Sequence, residues 1–170
     1  MPSSPIHAPA PSTCVRNAER GDIAALVDLE HRVFATDRLS RRSLQRFLRS
    51  NTAQVIVADQ DGRLAGAAVV LFRPRSTVAR LYSIAVAPHM GGRGIGPRLL
   101  EAAENAALAR RCGSMRLEVH ETNHAAISRY RKSGYHEFGR HPGYYDDGGD
   151  ALRFEKQLAG SVTGPGRKPR

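Results

Sequence analysis

Residues Leu81–Leu100 read LYSIAVAPHMGGRGIGPRLL: an apolar run, a proline, a glycine cluster and the opening of an amphipathic helix. Pro88 has no N–H to give a central ladder, so the run before it predicts a strand that ends there. Gly92, Gly94 and Gly96 then leave backbone N–H groups bare just where a helix N-terminus adds partial positive charge. A chain folded this way carries an anion cradle between a strand and a helix, and a phosphate-bearing ligand is the first expectation.

Spacing separates the phosphate-binding patterns that such a loop resembles. A P-loop ends in Gly-Lys-Ser or Gly-Lys-Thr, whereas Gly96 is followed by Pro97 and Arg98. The dinucleotide fingerprint requires a third glycine three residues after the second, and counting from Gly94 and Gly96 that position is Leu99. Glu118 does lie at a distance suited to a ribose-binding acid, but an incomplete glycine motif is weak evidence. A glycine turn without a ligand is the plainest alternative.

Around this loop the sequence predicts one mixed α/β sandwich. Val15–Ala18 reads as a short strand, and Asp22 as the N-cap of a helix with Ile23, Leu26, Leu29 and Val33 on one side. A second helix follows Ser40 with Leu44, Phe47 and Leu48. Residues 53–58 and 64–72 read as strands joined by a turn at Asp61-Gly62. Residues 78–87 form the next strand, and a helix runs from Pro97 to about Arg111 with Leu100, Ala103 and Ala107 inward. Met115–His120, Tyr135–Phe138 and Ala151–Gln157 are strands, with a short helix at Asn123–Lys132. The strand-rich first half argues against a doubly wound parallel sheet.

A chain of 170 residues suits a single core. Residues 1–14 and 160–170, rich in Pro, Gly, Ser and charge, are expected to be disordered tails around a domain at 15–159. The N-terminus carries prolines where a signal peptide needs its apolar segment, and no apolar run is long enough to span a bilayer. A soluble, cytoplasmic protein is expected, without a membrane partner. Cys14 and Cys112 are far apart and lack metal-ligand spacing, so neither a disulfide nor a zinc site is indicated. Cys112 reads as an inert core or boundary residue. The net charge of +10 comes almost wholly from arginine. Arg38, Arg42, Arg46 and Arg49 fall on one helical face, to meet an acidic partner, a ribosomal surface or water. Without interleaved aromatics, no specific nucleic-acid module is expected.

Two ordered blocks over residues 80–137 are more specific than any single motif. Ile84-Ala85-Val86-x-Pro88, then Gly92-Arg93-Gly94-Ile95-Gly96 and Leu99-Leu100, resembles the acyl-coenzyme A motif of the GNAT superfamily of N-acetyltransferases. Leu117-Glu118-Val119, Asn123, Ala126-Ile127, Tyr130 and Gly134-Tyr135 resemble that superfamily's next segment. The resemblance implies a largely antiparallel mixed sheet flanked by helices, with acetyl-coenzyme A as co-substrate and no metal. It places the cofactor against Ile84, Ala85, Val86, Gly91, Gly92, Arg93, Gly94, Ile95, Gly96, Pro97, Asn123 and Tyr130. The family usually has Gln or Arg where this chain has Gly91, which removes one pyrophosphate contact and leaves the backbone donors.

Amine acylation requires a neutral amine, a polarised carbonyl and an acid for the departing thiolate. Strand alternation sets Arg116, Glu118 and His120 on one face and Met115, Leu117 and Val119 on the other. A glutamate in mid-strand is costly unless used or paired. By resemblance Glu118 is the general base; the alternative is an ion pair with Arg80 or Arg116. Tyr130 is by resemblance the acid, since a phenol stays protonated at neutral pH; the alternative is packing. Asn123 is also a plausible helix cap. His120 and His124 straddle a strand end and a helix start, a poor metal pair. His136 and His141 read as surface residues, one of them an alternative base.

The acceptor is less sharply drawn. The segment from Arg140 through Tyr144-Tyr145 to Asp150-Ala151 resembles the late hairpin of the ribosomal-protein N-terminal alanine acetyltransferases. Residues Leu29–Phe34, with Ser40 and Leu44, resemble that branch's first helices. Phe34, Tyr144 and Tyr145 are thus candidate acceptor-binding residues. At pH 7 an α-amine is about 14% neutral and a lysine about 0.04%, a difference of roughly 3.5 kcal/mol that favours an α-amine for a single glutamate base. Transfer to a protein or peptide N-terminus in a ternary complex is the expected reaction. A small-molecule amine, a lysine, or a non-catalytic acyl-coenzyme A-binding module are the alternatives.

Overall fold

The computed structural model describes residues 12–158, so the two tail assignments fall largely outside the described residues. Seven strands form one sheet in the order β1-β2-β3-β4-β5-β7-β6. They are β1 (Thr13–Asn17), β2 (Ala53–Gln60), β3 (Arg63–Leu71), β4 (Val78–Val86), β5 (Ser114–His120), β6 (His136–His141) and β7 (Ala151–Gln157). Four helices accompany them: α1 (Ile23–Val33), α2 (Arg41–Arg49), α3 (Ile95–Ala109) and α4 (His124–Lys132). Every neighbouring pair is antiparallel except β4 with β5, and α3 is the crossover that a parallel pair requires.

The local chemistry accounts for most boundaries. Asp61 and Gly62 both have positive φ, 52° and 78°, the backbone of a type I′ hairpin between β2 and β3. Ser40 caps α2, its hydroxyl accepting from the Ser43 N–H at 3.1 Å. Asp22 stands at the α1 N-cap position without capping that helix. Its carboxylate instead takes the Arg16 guanidinium at 2.8 and 3.0 Å and the Glu19 N–H at 2.7 Å, and the arginine holds it below the usual carboxylate range. Strand β1 opens at Thr13 rather than Val15, because Thr13 and Cys14 already pair with Gln60 and Asp59.

Strands β2 and β3 are buried at consecutive positions, Val55–Ala58 and Ala65–Val70, which demands cover on both faces. Helix α3 packs on β2, β3 and β4, and α1 and α2 cover the same strands from the opposite side. Gly66 is where α3 comes closest: a Cβ there would lie 2.8 Å from the Ala85 carbonyl oxygen and 2.9 Å from Leu99 Cδ1. Leu100, Ala103 and Ala107 face inward as their spacing predicts, joined by Ile95, Leu99 and Ala106. Tyr135 precedes β6, buried, and its phenol donates to Glu104 at 3.0 Å. Cys112 is also buried, and burial pushes its thiol up.

The arginine face is shorter than helical spacing predicts. Helix α2 starts at Arg41, so Arg38 lies outside it, its guanidinium turned back to the Phe34 carbonyl at 2.5 Å.

Candidate active site

The site begins where two strands part. β4 and β5 pair only from Val78 with Ser114 to Leu81 with Leu117; beyond that β4 continues to Val86 along β3 while β5 continues to His120 along β7. The divergence starts at a bulge: Val70 opposes Leu81 and Val69 opposes Ser83, leaving Tyr82 as the extra residue. A cleft of about 670 Å³ opens between the strands, lined by Ile84 and Val86 from β4, Glu118 and His120 from β5, and Asn123, Ala126, Arg129 and Tyr130 from the α4 segment. Ala85 faces the core instead, 3% exposed.

The glycine loop lies at one mouth of this cleft. Gly92 and Gly94 adopt left-handed backbone, φ 75° and 74°, and Gly94 is the N-cap of α3. Helix α3 therefore starts at Ile95, two residues before Pro97. Pro97 falls within the first turn, where its missing N–H had no intrahelical partner to lose. The N–H groups from Gly91 to Gly96 form no backbone hydrogen bond, which leaves a row of free donors at a helix N-terminus. Gly96 is a bare cradle: a Cβ there would lie 3.2 Å from Arg129 Nη1 and 3.7 Å from Val86 Cγ2. Arg93 leans away, donating to Gln60 at 3.3 Å. Free donors, a left-handed glycine turn and an open strand edge fit a pyrophosphate bearing an extended amide arm. Gly91 has ordinary backbone, φ −60°, with only the Pro88 carbonyl near its Cβ position.

Glu118 and Tyr130 enter the cleft from different elements. Alternation along β5 buries Met115, Leu117 and Val119 and turns Glu118 outward, as predicted. The ion pair with Arg80 is present, Nε to Oε2 at 3.0 Å, with Arg153 at 4.0 Å from Oε1. Arg116 does not join it, pairing with Glu155 at 3.5 Å across the β5–β7 ladder. Arg80 also donates to the Tyr144 hydroxyl at 2.6 Å, so a carboxylate, a guanidinium and a phenol form one chain along the wall. Tyr130 is 7% exposed and stands edge-on to Tyr135, ring centroids 5.7 Å apart. Burial pushes its phenol up to about 12, so it holds its proton at any physiological pH. Asn123 caps α4, accepting from the Ala126 N–H at 3.2 Å, and also lines the cleft.

The other mouth is aromatic. Phe34, Tyr144 and Tyr145 all line it, together with Asp37 and Tyr82. Tyr145 lies 4.8 Å from the His120 ring, and its phenol is raised chiefly by burial. His120 Nδ1 accepts the Thr122 N–H at 3.2 Å, which leaves Nε2 to donate to Asp147 at 2.9 Å. This contact fastens the β6–β7 loop, and Gly149 approaches the His120 ring too closely for any side chain. Glu30, buried on α1, accepts the Leu39 N–H at 2.9 Å and thereby anchors the segment carrying Phe34 and Asp37. Burial raises its carboxyl above the usual range.

Among the described residues no group of three or more His, Cys, Asp or Glu side chains could hold a metal, and no helix is long and apolar enough to cross a membrane. His120 and His124 do not form a pair, and His136 and His141 are exposed. Three cleft residues escape a linear reading. Tyr82 reaches the cleft through the bulge, Arg80 through strand register, and Arg129 because α4 packs beside the start of α3. Of these only Arg80 had a sequence signal, as a possible partner of Glu118.

A sheet parted beside a glycine loop of free N–H donors, with the Glu118 carboxylate and the Tyr130 phenol lining the cleft, has groups that acyl transfer can use. The sequence model of the acetyltransferase (GNAT) family matches residues 22–135, and the chain belongs to that family. It is an acetyl-coenzyme A-dependent N-acetyltransferase. The N-alpha-acetyltransferase RimI of Mycobacterium tuberculosis is 33% identical over 141 residues, 81% of this chain and 87% of that protein. Streptothricin acetyltransferase of Streptomyces lavendulae is 34% identical over 110 residues, 65% of this chain and 57% of that protein. The crystal structure of the ribosomal-protein-S18-alanine N-acetyltransferase from Escherichia coli superposes with a TM-score of 0.79 at 25% identity, covering 89% of this chain and 97% of that one.

Proposed function

We propose that the acceptor is the N-terminal α-amine of a protein or peptide, a ribosomal protein by similarity to its relatives, with Glu118 as base and Tyr130 as acid. The observation that carries this reading is the convergence of Glu118 and Tyr130, from β5 and α4, on one cleft with an aromatic mouth. Acetyl-coenzyme A supplies the activated acyl group as a thioester. The free N–H groups of Gly91–Gly96 hold its pyrophosphate, and the unpaired side of β4 at Ile84 and Val86 orients the arm. Glu118 holds or receives the ammonium proton, through Oε1 or a water, while Arg80 occupies Oε2. Such a half-engaged carboxylate suits an α-amine, already partly neutral at pH 7, better than a lysine. Tyr130 hands its phenolic proton to the departing thiolate sulfur. Phe34, Tyr144 and Tyr145 flank the first residue of the acceptor and exclude water. Transfer is direct, in a ternary complex. Cys14 and Cys112 are both free, which suits a cytoplasmic setting.

Acetylation of a small-molecule amine is the second reading, supported by the streptothricin relative. A peptide-array acetylation screen with free and blocked N-termini distinguishes them: label confined to free N-termini is expected. Label on internal lysines, or an unlabelled array with acetylation of an amino sugar in solution, overturns the proposal.

A further inference from the structure

Among the described residues seven arginines face a carboxylate and fourteen do not. Arg16, Arg32, Arg80, Arg116, Arg131, Arg140 and Arg153 each face a carboxylate. At the far end of the sheet from the glycine loop, six others face none among the described residues: Arg46 and Arg49 at the end of α2, Arg73 and Arg75 before β4, and Arg110 and Arg111 after α3. All six are exposed. Short contacts hold their segments together. Phe72 N–H donates to the Thr52 carbonyl at 2.8 Å, the Arg110 guanidinium donates to the Asn51 carbonyl at 2.5 Å and stacks 4.1 Å over the Phe72 ring, and Arg46 shares a small groove with Phe72. Helix α3 has 15 residues, so about 22 Å separates this end from the cofactor loop.

No Asp or Glu occurs in residues 38–58, 62–100 or 105–117, which supply the six arginines, and Glu155 on the adjoining β7 is paired with Arg116. Helix dipoles favour cations at the ends of α2 and α3, but they do not reach Arg73 and Arg75. Arg75 and Arg111 also occupy left-handed backbone, φ 62° and 61°, where glycine or asparagine would sit at lower cost. What arginine adds at those turns is a guanidinium fork, matched to phosphate oxygens. Of the exposed large apolar residues, Phe138 and Tyr144 belong to other segments and Tyr82 is engaged edge-on with Phe47, ring centroids 5.7 Å apart, so this end offers little to insert into a lipid surface.

We propose that this arginine end docks on the phosphate backbone of a nucleic acid, without sequence readout. The inference is independent of the acceptor assignment, because the surface lies away from the cleft. Fluorescence anisotropy with a labelled RNA hairpin and a duplex DNA of equal length, from 50 to 200 mM salt, tests it. Six neutralised phosphates predict a log–log salt slope near −5 and a loss of about 10³-fold in affinity across that range. R46Q/R49Q/R75Q is expected to reduce the slope by about 2.7 on whichever polymer binds, with acetylation of a free peptide unchanged. R20Q/R63Q/R131Q removes the same charge elsewhere and is expected to bind like the parent protein. Equal weakening by both triple variants would show a net-charge effect and overturn the proposal. So would a flat salt dependence, or anionic phosphatidylserine vesicles binding as tightly as either nucleic acid.

Discussion

Replacing Gly66 by alanine tests how tightly the proposed cofactor cradle is tied to the sheet. The added Cβ would meet the Ala85 carbonyl oxygen at 2.8 Å, Leu99 Cδ1 at 2.9 Å and Ile95 Cγ2 at 3.2 Å. One of these is strand backbone, and the two side chains belong to residues 0% and 1% exposed, with no solvent space to move into. Overpacking of this kind costs about 1–3 kcal/mol, and the loss of glycine's unfolded-state freedom returns about 0.4–1 kcal/mol. The net, about 1–2 kcal/mol, lowers Tm by roughly 2–8 °C for a chain of this size. Relief comes most directly by lifting Ile95, the first residue of α3, away from β3. That movement displaces the adjoining donors of Gly92–Gly96. Gly66→Ala is therefore expected to weaken acetyl-coenzyme A binding as well, read by calorimetry, more than Leu44→Val, a change of similar cost in α2 on the opposite face. An unchanged Tm, or a lower Tm with intact cofactor affinity, would refute the coupling.

Three further outcomes are expected. Tyr130→Phe lowers kcat by about 10²-fold or more while the thermal shift produced by acetyl-coenzyme A persists, and an unchanged kcat would make Tyr130 a packing residue. Arg129→Ala, beside the start of α3, weakens coenzyme A binding by about tenfold, the effect of losing one charge-assisted contact; equal Kd values would remove Arg129 from the site. Glu30→Gln keeps the acceptor for the Leu39 N–H and removes a carboxyl that burial raises above its unfolded value. Ionising such a group costs stability, so the wild type loses stability as pH rises from about 4.5 through the raised folded value. Denaturant melts at pH 4 and pH 7 are expected to show the variant gaining on the wild type at the higher pH, and a gain at the lower pH would reverse the assignment.

Local patterns made most elements legible. The Asp61-Gly62 turn, the Ser40 cap, the alternation of β5 and the inward stripe of α3 all follow from chemistry within a few residues. Helix α3 starts two residues before Pro97 because a left-handed glycine, rather than the proline after it, opens the helix. Both recognised blocks fold onto the one cleft, yet the features that shape it are long-range. The bulge at Tyr82 exists only relative to the register of β3, and Arg129 reaches Gly96 only through packing of α4. The alternatives for Glu118 show the same limit. Arg80 and Arg116 were equal partners on paper, and the ladder separates them by placing Glu155 opposite Arg116.

The parting of β4 and β5 also divides the sheet mechanically. Four register pairs, Val78–Leu81 with Ser114–Leu117, join a four-strand half to a three-strand half, whereas β2–β3 and β5–β7 run for eight and seven pairs. The shortest ladder in the middle of the molecule is a seam, and an extended ligand lying between its open edges acts as a cross-stitch. Acetyl-coenzyme A bound as proposed is expected to slow hydrogen exchange in β5–β7 as well as around the glycine loop, because opening the seam would require tearing the stitch.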